Sequence, residues 1–219
     1  MGSRVMHYCI TSLLSQSVNQ TDDSFLLGGL APDVHRYMGQ SQYYLTHFAM
    51  KDELGNTITD RNTYLTKYLS DELSPFHLGY YFHLISDEIW KEDIYYKKIK
   101  CLHQKDRKAA LEKNYRDFWR LNGKIIDHHS LQLRELEPVS VNMHEIDSKY
   151  FPELIKALHR DFELKDEASS EGLEFLDLGD VLRVIDKSAR VCLDAYAMLK
   201  KSALQRKNPD PVEEVHGTH

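Results

Sequence analysis

One segment organises this chain of 219 residues, and it reads Ser74-Pro75-Phe76-His77-Leu78-Gly79-Tyr80-Tyr81-Phe82-His83-Leu84-Ile85-Ser86-Asp87. The serine supplies a capping oxygen, and the proline occupies the first helical position, where its missing N–H removes no hydrogen bond. No further proline follows before Pro138, so we predict one long helix that ends near Lys100. The residues from 76 to 85 are apolar around nearly the whole helix, which predicts that it is buried.

Two polar residues of this helix are spaced for metal binding. His83 and Asp87 are four residues apart, so both side chains project from one face and can reach a single ion. Such a pair by itself is more often a hydrogen-bonded pair on a protein surface. Here the apolar surroundings change the interpretation, because a buried carboxylate destabilises the fold unless it is paired. A bound cation would neutralise it.

Three more candidate ligands occur in similarly apolar surroundings. His7 lies in the first predicted helix, Asp33 follows Leu30-Ala31-Pro32, and His47 is flanked by Leu45-Thr46 and Phe48. The chain contains 12 histidines, roughly twice the number expected from average composition. Nitrogen and oxygen donors without a thiolate suit zinc, with manganese or iron as alternatives.

Composition limits the class of protein. There are 28 basic and 34 acidic residues, a formal charge of −6, and 42% of residues are hydrophobic. These values exclude a disordered chain and a strongly cationic nucleic-acid binder. The 6 prolines and 10 glycines favour helices over turn-rich β architectures, so we expect an all-α, multi-helix bundle. Three cysteines far apart in sequence, Cys9, Cys101 and Cys192, predict reduced, buried thiols.

The remaining segments are assigned by hydrophobic periodicity. Beside the long helix, we predict helices over residues 3–18, 61–73, 106–127, 149–164 and 176–205, a short helical or extended piece over 42–50, and a solvated linker over 165–172. Residues 1–205 are expected to form a single metal-dependent hydrolase domain, and residues 206–219 a flexible tail. Because we find neither a secretion signal nor a membrane span, we expect a cytoplasmic protein.

The order of the motifs resembles that of the zinc-dependent phospholipase C family, whose all-helical fold is shared with single-strand-specific zinc nucleases. The resemblance is to a bacterial, cytoplasmic member and covers residues 3–90. It rests on Ser3-Arg4-Val5-Met6-His7, Leu27-Gly28-Gly29-Leu30-Ala31-Pro32-Asp33, Thr46-His47-Phe48 with the acidic turn after it, and His83-Leu84-Ile85-Ser86-Asp87.

The resemblance implies a bundle of the phospholipase C type with a buried zinc centre. In that arrangement one zinc ion is surrounded by Asp33, His47, His83 and Asp87. A second ion is held by His7 and a shared oxygen of Asp87. The resemblance also implies that Asp33 acts as the catalytic base or orients the attacking water.

The third ion of the family has no clear counterpart in this chain. The family supplies it with a further histidine and a His-x-x-x-Glu motif, whereas His103, His128 and His129 are followed four residues later by Arg107, Gln132 and Leu133. His128 or His129, together with Asp127 or Glu135, could replace these ligands, although a His-His pair beside a charged segment more often faces solvent. We therefore expect between one and three ions.

Four other residues are candidates for the surroundings of the site. His35, two residues after Asp33, could bind the metal, hydrogen-bond Asp33 or contact substrate. His77 points roughly 120° away from the face of His83 on an ideal helix, so a core hydrogen bond or a place in the pocket wall is the better interpretation. Arg36 or Arg61 could clamp a phosphate.

These residues predict a hydrolase of phosphoester bonds that uses a metal-activated water, and phosphodiesters are the expected substrates. The expected substrate is a small-molecule or lipid phosphoester, and the absence of a basic stripe argues against nucleic acid. The alternative is a non-catalytic, metal-stabilised binding or scaffold protein whose ion is enclosed entirely by protein ligands. The oligomeric state does not follow from the sequence.

Overall fold

A computed structural model describes residues 2–39, 42–70 and 72–207. The helices are α1 (Arg4–Leu14), α2 (Asp23–Leu30), α3 (His35–Met38), α4 (Tyr43–Thr46), α5 (Arg61–Tyr68), α6 (Pro75–Trp90), α7 (Gln104–His129), α8 (Phe151–Glu163), α9 (Lys165–Ser170) and α10 (Leu178–Lys207). The other elements are 3₁₀ helices at Ala31–Val34 and Ser148–Tyr150, a π-helical segment at Lys91–Lys100, and the strands β1 (Ala49–Lys51) and β2 (Thr57–Thr59).

The protein is mostly helical, which confirms the predicted class in its coarse form. Within the described ranges, β1 and β2 form the one sheet, an antiparallel hairpin in which Met50 pairs with Ile58. This hairpin was not predicted, because each strand has only three residues and so offers too little alternation to detect. No helix in the part of the chain that is described has the length and apolar character needed to cross a bilayer.

Helix α6 lies at the centre of the fold, as its apolar circumference predicts. Ser74 caps it by accepting a hydrogen bond from the His77 N–H, and 13 of its 16 residues are buried. Beyond Trp90 the chain stays helical to Lys100, as expected, but in the wider π geometry. The predicted helical segment therefore has the predicted length, but its backbone hydrogen bonds beyond Trp90 span five residues instead of four.

Helices α2 and α6 cross at very short range. A Cβ atom added to Gly28 would lie 2.0 Å from the Phe76 carbonyl oxygen, and one added to Gly79 would lie 2.0 Å from the Phe25 carbonyl oxygen. Only glycine fits at both positions because backbone faces backbone there. This crossing sets the distance between the residues after α2 and the polar face of α6.

Residues 165–172 were predicted to be a solvated linker, and this prediction was wrong. Residues 165–170 form α9, with Ala168 buried. Helix α9 packs on α7 where Gly123 lies, since a Cβ there would be 2.3 Å from the Lys165 carbonyl oxygen. The polar composition of this segment gives no sign of a helix. The packing of α9 depends on Gly123, which lies about 45 residues before Ala168 in the chain.

Asp117 of α7 anchors the loop between α9 and α10. Its buried carboxylate accepts hydrogen bonds from the backbone N–H groups of residues 174, 175 and 176 at 2.7–2.9 Å. Arg120 pairs with the same carboxylate at 3.1 Å. These contacts satisfy a charged group that lies wholly within the protein.

Several predicted boundaries moved by a few residues. Helix α1 ends at Leu14 rather than Val18, and α5 ends at Tyr68 rather than residue 73. Cys9 and Cys192 are buried as predicted, but Cys101 is exposed, because it follows the π-helical segment at the surface. Helix α10 extends to Lys207, and the rest of the predicted tail, residues 208–219, lies outside the described residues.

Candidate metal centre

The structure brings the five predicted ligands together from four parts of the chain. His7 lies on α1, Asp33 in the 3₁₀ helix after α2, His47 directly after α4, and His83 and Asp87 one turn apart on α6. All five are buried, and the most exposed of them, Asp87, has 6% of its surface accessible. The α2–α6 crossing described above holds the segment of Asp33 close to that of His83 and Asp87.

Three ligand atoms form a nearly regular triangle. The Nε2 atoms of His47 and His83 lie 3.3 Å apart, and Asp87 Oδ2 is 3.5 Å from the first and 3.7 Å from the second. Ligands about 2.0–2.1 Å from a tetrahedral zinc ion are separated by about 3.3 Å. The triangle therefore has the dimensions of one face of a zinc coordination sphere.

Hydrogen bonds determine which nitrogen of each imidazole carries the proton. His83 Nδ1 lies 2.8 Å from the Gly29 carbonyl oxygen, which can only accept, so this Nδ1 carries the hydrogen. His47 Nδ1 lies 2.9 Å from the Thr46 hydroxyl, which in turn donates to the Tyr43 carbonyl. Both imidazoles therefore present an unprotonated Nε2 to the centre, which is the form that binds a metal.

His7 is oriented by the same principle. Its Nδ1 lies 2.9 Å from the Ser86 hydroxyl, and that hydroxyl donates its own hydrogen to the His83 carbonyl. The buried His7 Nε2 has no hydrogen-bond partner and lies 3.3 Å from Asp87 Oδ1. The Gly2 N–H also donates to this carboxylate oxygen, at 3.1 Å. His7, His83 and Asp87 have ligand atoms within 4.8 Å of one another.

A second group combines Asp33, His35 and His47, whose ligand atoms also lie within 4.8 Å of one another. His35 Nδ1 donates to the Pro32 carbonyl at 3.0 Å, which again leaves Nε2 available. Asp33 Oδ1 is buried and has no hydrogen-bond partner. The nearest cation is Arg36, whose Nε lies 3.7 Å away, too far for a hydrogen bond.

The protonation states suit cation binding. Burial lowers the pKa of His47 to about 4, and burial together with the neighbouring His7 lowers the pKa of His83 to about 3. Burial opposes ionisation of Asp33, but the Arg36 guanidinium and the nearby imidazoles hold its pKa well below the usual range. Near neutral pH the imidazoles of His47 and His83 are therefore neutral, and the Asp33 carboxylate is ionised.

These observations show that the chain has two buried His/Asp groups that could hold a metal ion. His47 connects them, because it belongs to the second group and lies 3.5 Å from Asp87 of the first. Inward-facing nitrogen lone pairs and the buried Asp33 Oδ1, which has no hydrogen bond, are groups that a divalent cation would satisfy. Histidine and carboxylate donors fit zinc, and the donor set by itself does not select one metal.

Other predicted residues lie outside this cluster. Arg61 pairs with Glu88 at 2.8 Å. The Tyr64 hydroxyl donates to the His77 carbonyl oxygen at 3.1 Å and lies 3.1 Å from His77 Nδ1, and the His77 ring stacks on Tyr68. Within the described residues, neither side chain contacts a ligand candidate by a hydrogen bond or ion pair. For His77 this is the core hydrogen bond that its helical position favours.

The substitutes considered for a third ion also lie elsewhere. His128 and His129 are the last residues of α7, and Glu135 is 3.8 Å from His159. None of them belongs to a group, among the residues that the structure describes, that could hold a metal. The expectation that they rebuild a third site therefore has no geometric basis.

Sequence reasoning missed the groups that orient the ligands. Ser86 and the Gly29 carbonyl each fix the tautomer of a histidine, and Tyr43 stacks on His47 with ring centroids 4.2 Å apart. A serine directly before Asp87 and a threonine directly before His47 were available as local signals. A backbone carbonyl from another helix leaves no signal in a sequence.

We compared the chain with protein-family models, with curated proteins and with solved structures, and none of them matches it.

Proposed function

We propose that this protein is a metal-dependent hydrolase of phosphoester bonds, of the zinc-dependent phospholipase C type. The observation on which the proposal depends is the buried triangle of His47, His83 and Asp87, in which two imidazole lone pairs face one carboxylate. The order of the motifs along the chain supports the choice of family. Zinc is the proposed metal, in one or two of the possible three positions.

The ligands offer two neighbouring positions that share Asp87. One ion would lie at the triangle of His47, His83 and Asp87 Oδ2, with Asp33 and His35 beside His47, and a second would lie between His7 and Asp87 Oδ1. Ions bound there would supply positive charge that lowers the pKa of a nearby water and stabilises negative charge on a phosphoryl oxygen. Phosphodiester hydrolysis uses both effects.

Asp33 is the proposed acceptor for the proton of the attacking water. Its carboxylate is ionised, it is 2% exposed, and its Oδ1 is not committed to a hydrogen bond. An acceptor with a free oxygen can orient a water molecule and take up its proton. We therefore assign Asp33 a double role as ligand and proton acceptor.

Arg36 is the proposed phosphate clamp. Its side chain is 44% exposed and lies beside Asp33, and it lines a cavity of about 320 Å³ together with Ser3 and Arg4. A guanidinium group with free donors binds phosphate through paired hydrogen bonds. Arg61 is not proposed for this role because its guanidinium is already paired with the Glu88 carboxylate.

A non-catalytic role is the second candidate, and the burial of the centre favours it. Every predicted ligand is at least nine-tenths buried, as in closed sites whose ion only stabilises the fold. The two functions differ in one measurable property. A hydrolase must leave a coordination position accessible to substrate, whereas a structural site need not.

The test pairs metal analysis with activity on wild type, Asp87→Asn and Asp194→Asn. Asp194 is an exposed residue of α10 and controls for the loss of one carboxylate. We expect stoichiometric metal and phosphodiesterase activity in wild type and Asp194→Asn, and loss of both in Asp87→Asn. Stoichiometric metal without hydrolysis of lipid, nucleotide or model phosphoesters would establish the structural role instead.

A further inference from the structure

A second cavity lies next to the proposed metal centre. It has a volume of about 380 Å³ and is formed by the turn of the β1–β2 hairpin, the π-helical segment and α7. Tyr43 connects it to the centre, since this residue lines the cavity while its ring stacks on His47. A molecule in the cavity would be separated from the metal ligands by the Tyr43 ring.

The charged residues of this cavity all have the same sign. Lys51, Lys91 and Lys100 line it, and no aspartate or glutamate is found among its lining residues, which all belong to the described part of the chain. The nearby Asp52 is already engaged, because it accepts hydrogen bonds from residues 54 and 56 of the hairpin turn. The cavity is therefore a concentration of positive charge in a protein of net charge −6.

Aromatic contacts position two of these lysines. The ammonium groups of Lys91 and Lys100 lie over the ring of Tyr96, at 5.7 and 4.6 Å from its centroid. Lys100 also donates to Asn56 Oδ1 at 2.7 Å. Burial lowers the pKa of Lys91, although the charge of Glu88 partly opposes the shift. Ammonium groups that are already positioned and partly desolvated bind an anion with little further loss of entropy.

A buried amide provides an independent indication of a ligand. Asn114 of α7 lines the cavity with 4% of its surface exposed, and its Oδ1 has no hydrogen-bond partner. A buried amide oxygen left without a donor destabilises the fold. A ligand hydroxyl would supply that donor. The cavity thus combines three cationic groups with one acceptor for a hydroxyl.

We infer that this cavity binds an anionic, hydroxyl-bearing group of the substrate, such as a phosphorylated polyol. Lys51, Lys91 and Lys100 would bind the anion, and Asn114 would accept from a hydroxyl. The assignment to the substrate rests on the proposed phosphoesterase function, whereas anion binding itself does not. The three lysines would make the site selective for polyanionic phosphoesters and against phosphoesters that carry a cationic group.

The experiment measures binding of ribose 5-phosphate to the full chain as purified, without chelator treatment, by calorimetry at low ionic strength. Phosphocholine, which carries a quaternary ammonium, is the comparison ligand. The variants are Lys91→Met, Lys100→Met and, as a matched control, Lys113→Met. Lys113 is an exposed residue of α7 adjacent to Asn114 that does not line the cavity, so its loss changes net charge equally.

We expect ribose 5-phosphate to bind at least fivefold more tightly than phosphocholine. Each cavity variant should weaken this binding at least tenfold, and Lys113→Met less than twofold. Equal binding of the two ligands, or equal effects of the cavity and control variants, would overturn the inference. Lysine acetylation of wild type gives a second measurement without variants: ribose 5-phosphate should protect Lys91 and Lys100 from acetylation but not Lys113.

The inference and the proposed function can fail separately. Lysine-dependent binding in a protein that hydrolyses no phosphoester would retain the anion site and reject the hydrolase. If the protein hydrolyses phosphoesters but its affinity for ribose 5-phosphate is unchanged in Lys91→Met and Lys100→Met, the anion site is rejected and the hydrolase is retained.

Discussion

The Nε2 atoms of His47 and His83 lie 3.3 Å apart, and both imidazoles have already donated their Nδ1 hydrogens. Two nitrogen lone pairs therefore face each other inside the protein, beside an ionised carboxylate. Without a cation between them, they repel each other and are shielded from water that could solvate them. A cation bound in this space would remove that repulsion.

Metal removal is therefore expected to destabilise the protein. Saturation at about 100 times Kd contributes roughly 3 kcal/mol to the free energy of unfolding, which corresponds to a fall in Tm of at least about 5 °C on chelation for a chain of this length. Calorimetry with and without chelator checks this value. Asp87→Asn, which lacks a ligand, should show no chelator effect, and an unchanged wild-type Tm would contradict the metal centre.

Ser86→Ala should weaken metal binding without removing a ligand. The substitution frees His7 from the hydroxyl that holds its Nδ1–H, and loss of such an orienting group typically lowers metal affinity about 10–100-fold. Competition with a chromophoric chelator measures the affinity. The control is Ser188→Ala, a buried serine of α10 whose hydroxyl has no hydrogen-bond partner. Equal affinities in the two variants would argue against the orienting role.

Gly79→Ala should separate α2 from α6. Its new Cβ would lie 2.0 Å from the Phe25 carbonyl oxygen, and overpacking of this kind lowers the free energy of unfolding by about 1–3 kcal/mol. The shift should also move the Gly29 carbonyl from His83, so metal affinity should fall with stability. Urea unfolding and metal titration test both effects. Gly172→Ala, where a Cβ meets nothing within 4 Å, should change neither.

Asp117→Asn tests a different part of the fold. The amide cannot accept all of the hydrogen bonds that reach the buried carboxylate from residues 174–176 and Arg120. Breaking a buried ionic network of this kind lowers the free energy of unfolding by about 3 kcal/mol or more. Urea unfolding should detect the loss, compared with Asp166→Asn, whose side chain is 95% exposed. Metal affinity should stay at the wild-type value.

Arg36→Met should reduce phosphodiesterase activity without reducing metal content. Loss of a charge-assisted hydrogen bond of about 1.5–3 kcal/mol lowers kcat/KM about 10–100-fold. Steady-state kinetics and metal analysis on the same preparation measure the two quantities. Arg183→Met removes an arginine that is 71% exposed and lies on α10, and it serves as the control. An Arg36 variant with unchanged kinetics would remove the clamp from the proposal.

Local features of the chain were sufficient to predict the central helix and the pair of candidate ligands on it. Ser74 and Pro75 start a helix by capping and by backbone geometry, and a separation of four residues puts His83 and Asp87 on one face wherever that helix lies. The same kind of information failed for residues 165–170. Their helix depends on packing against Gly123, which no local pattern encodes.

The amino-acid sequence by itself determined the helical class, the central buried helix and the identity of the polar residues that apolar surroundings make unusual. Only the tertiary structure decided that His35 joins Asp33 and His47, that Arg61 turns to Glu88, and that the cavity lysines meet beside Tyr43. The physical reason is the distance along the chain over which each kind of interaction acts. Helix start signals and side-chain spacing act within a few residues, whereas a ligand cluster depends on how closely two backbones approach, and the glycines of α2 and α6 set that distance.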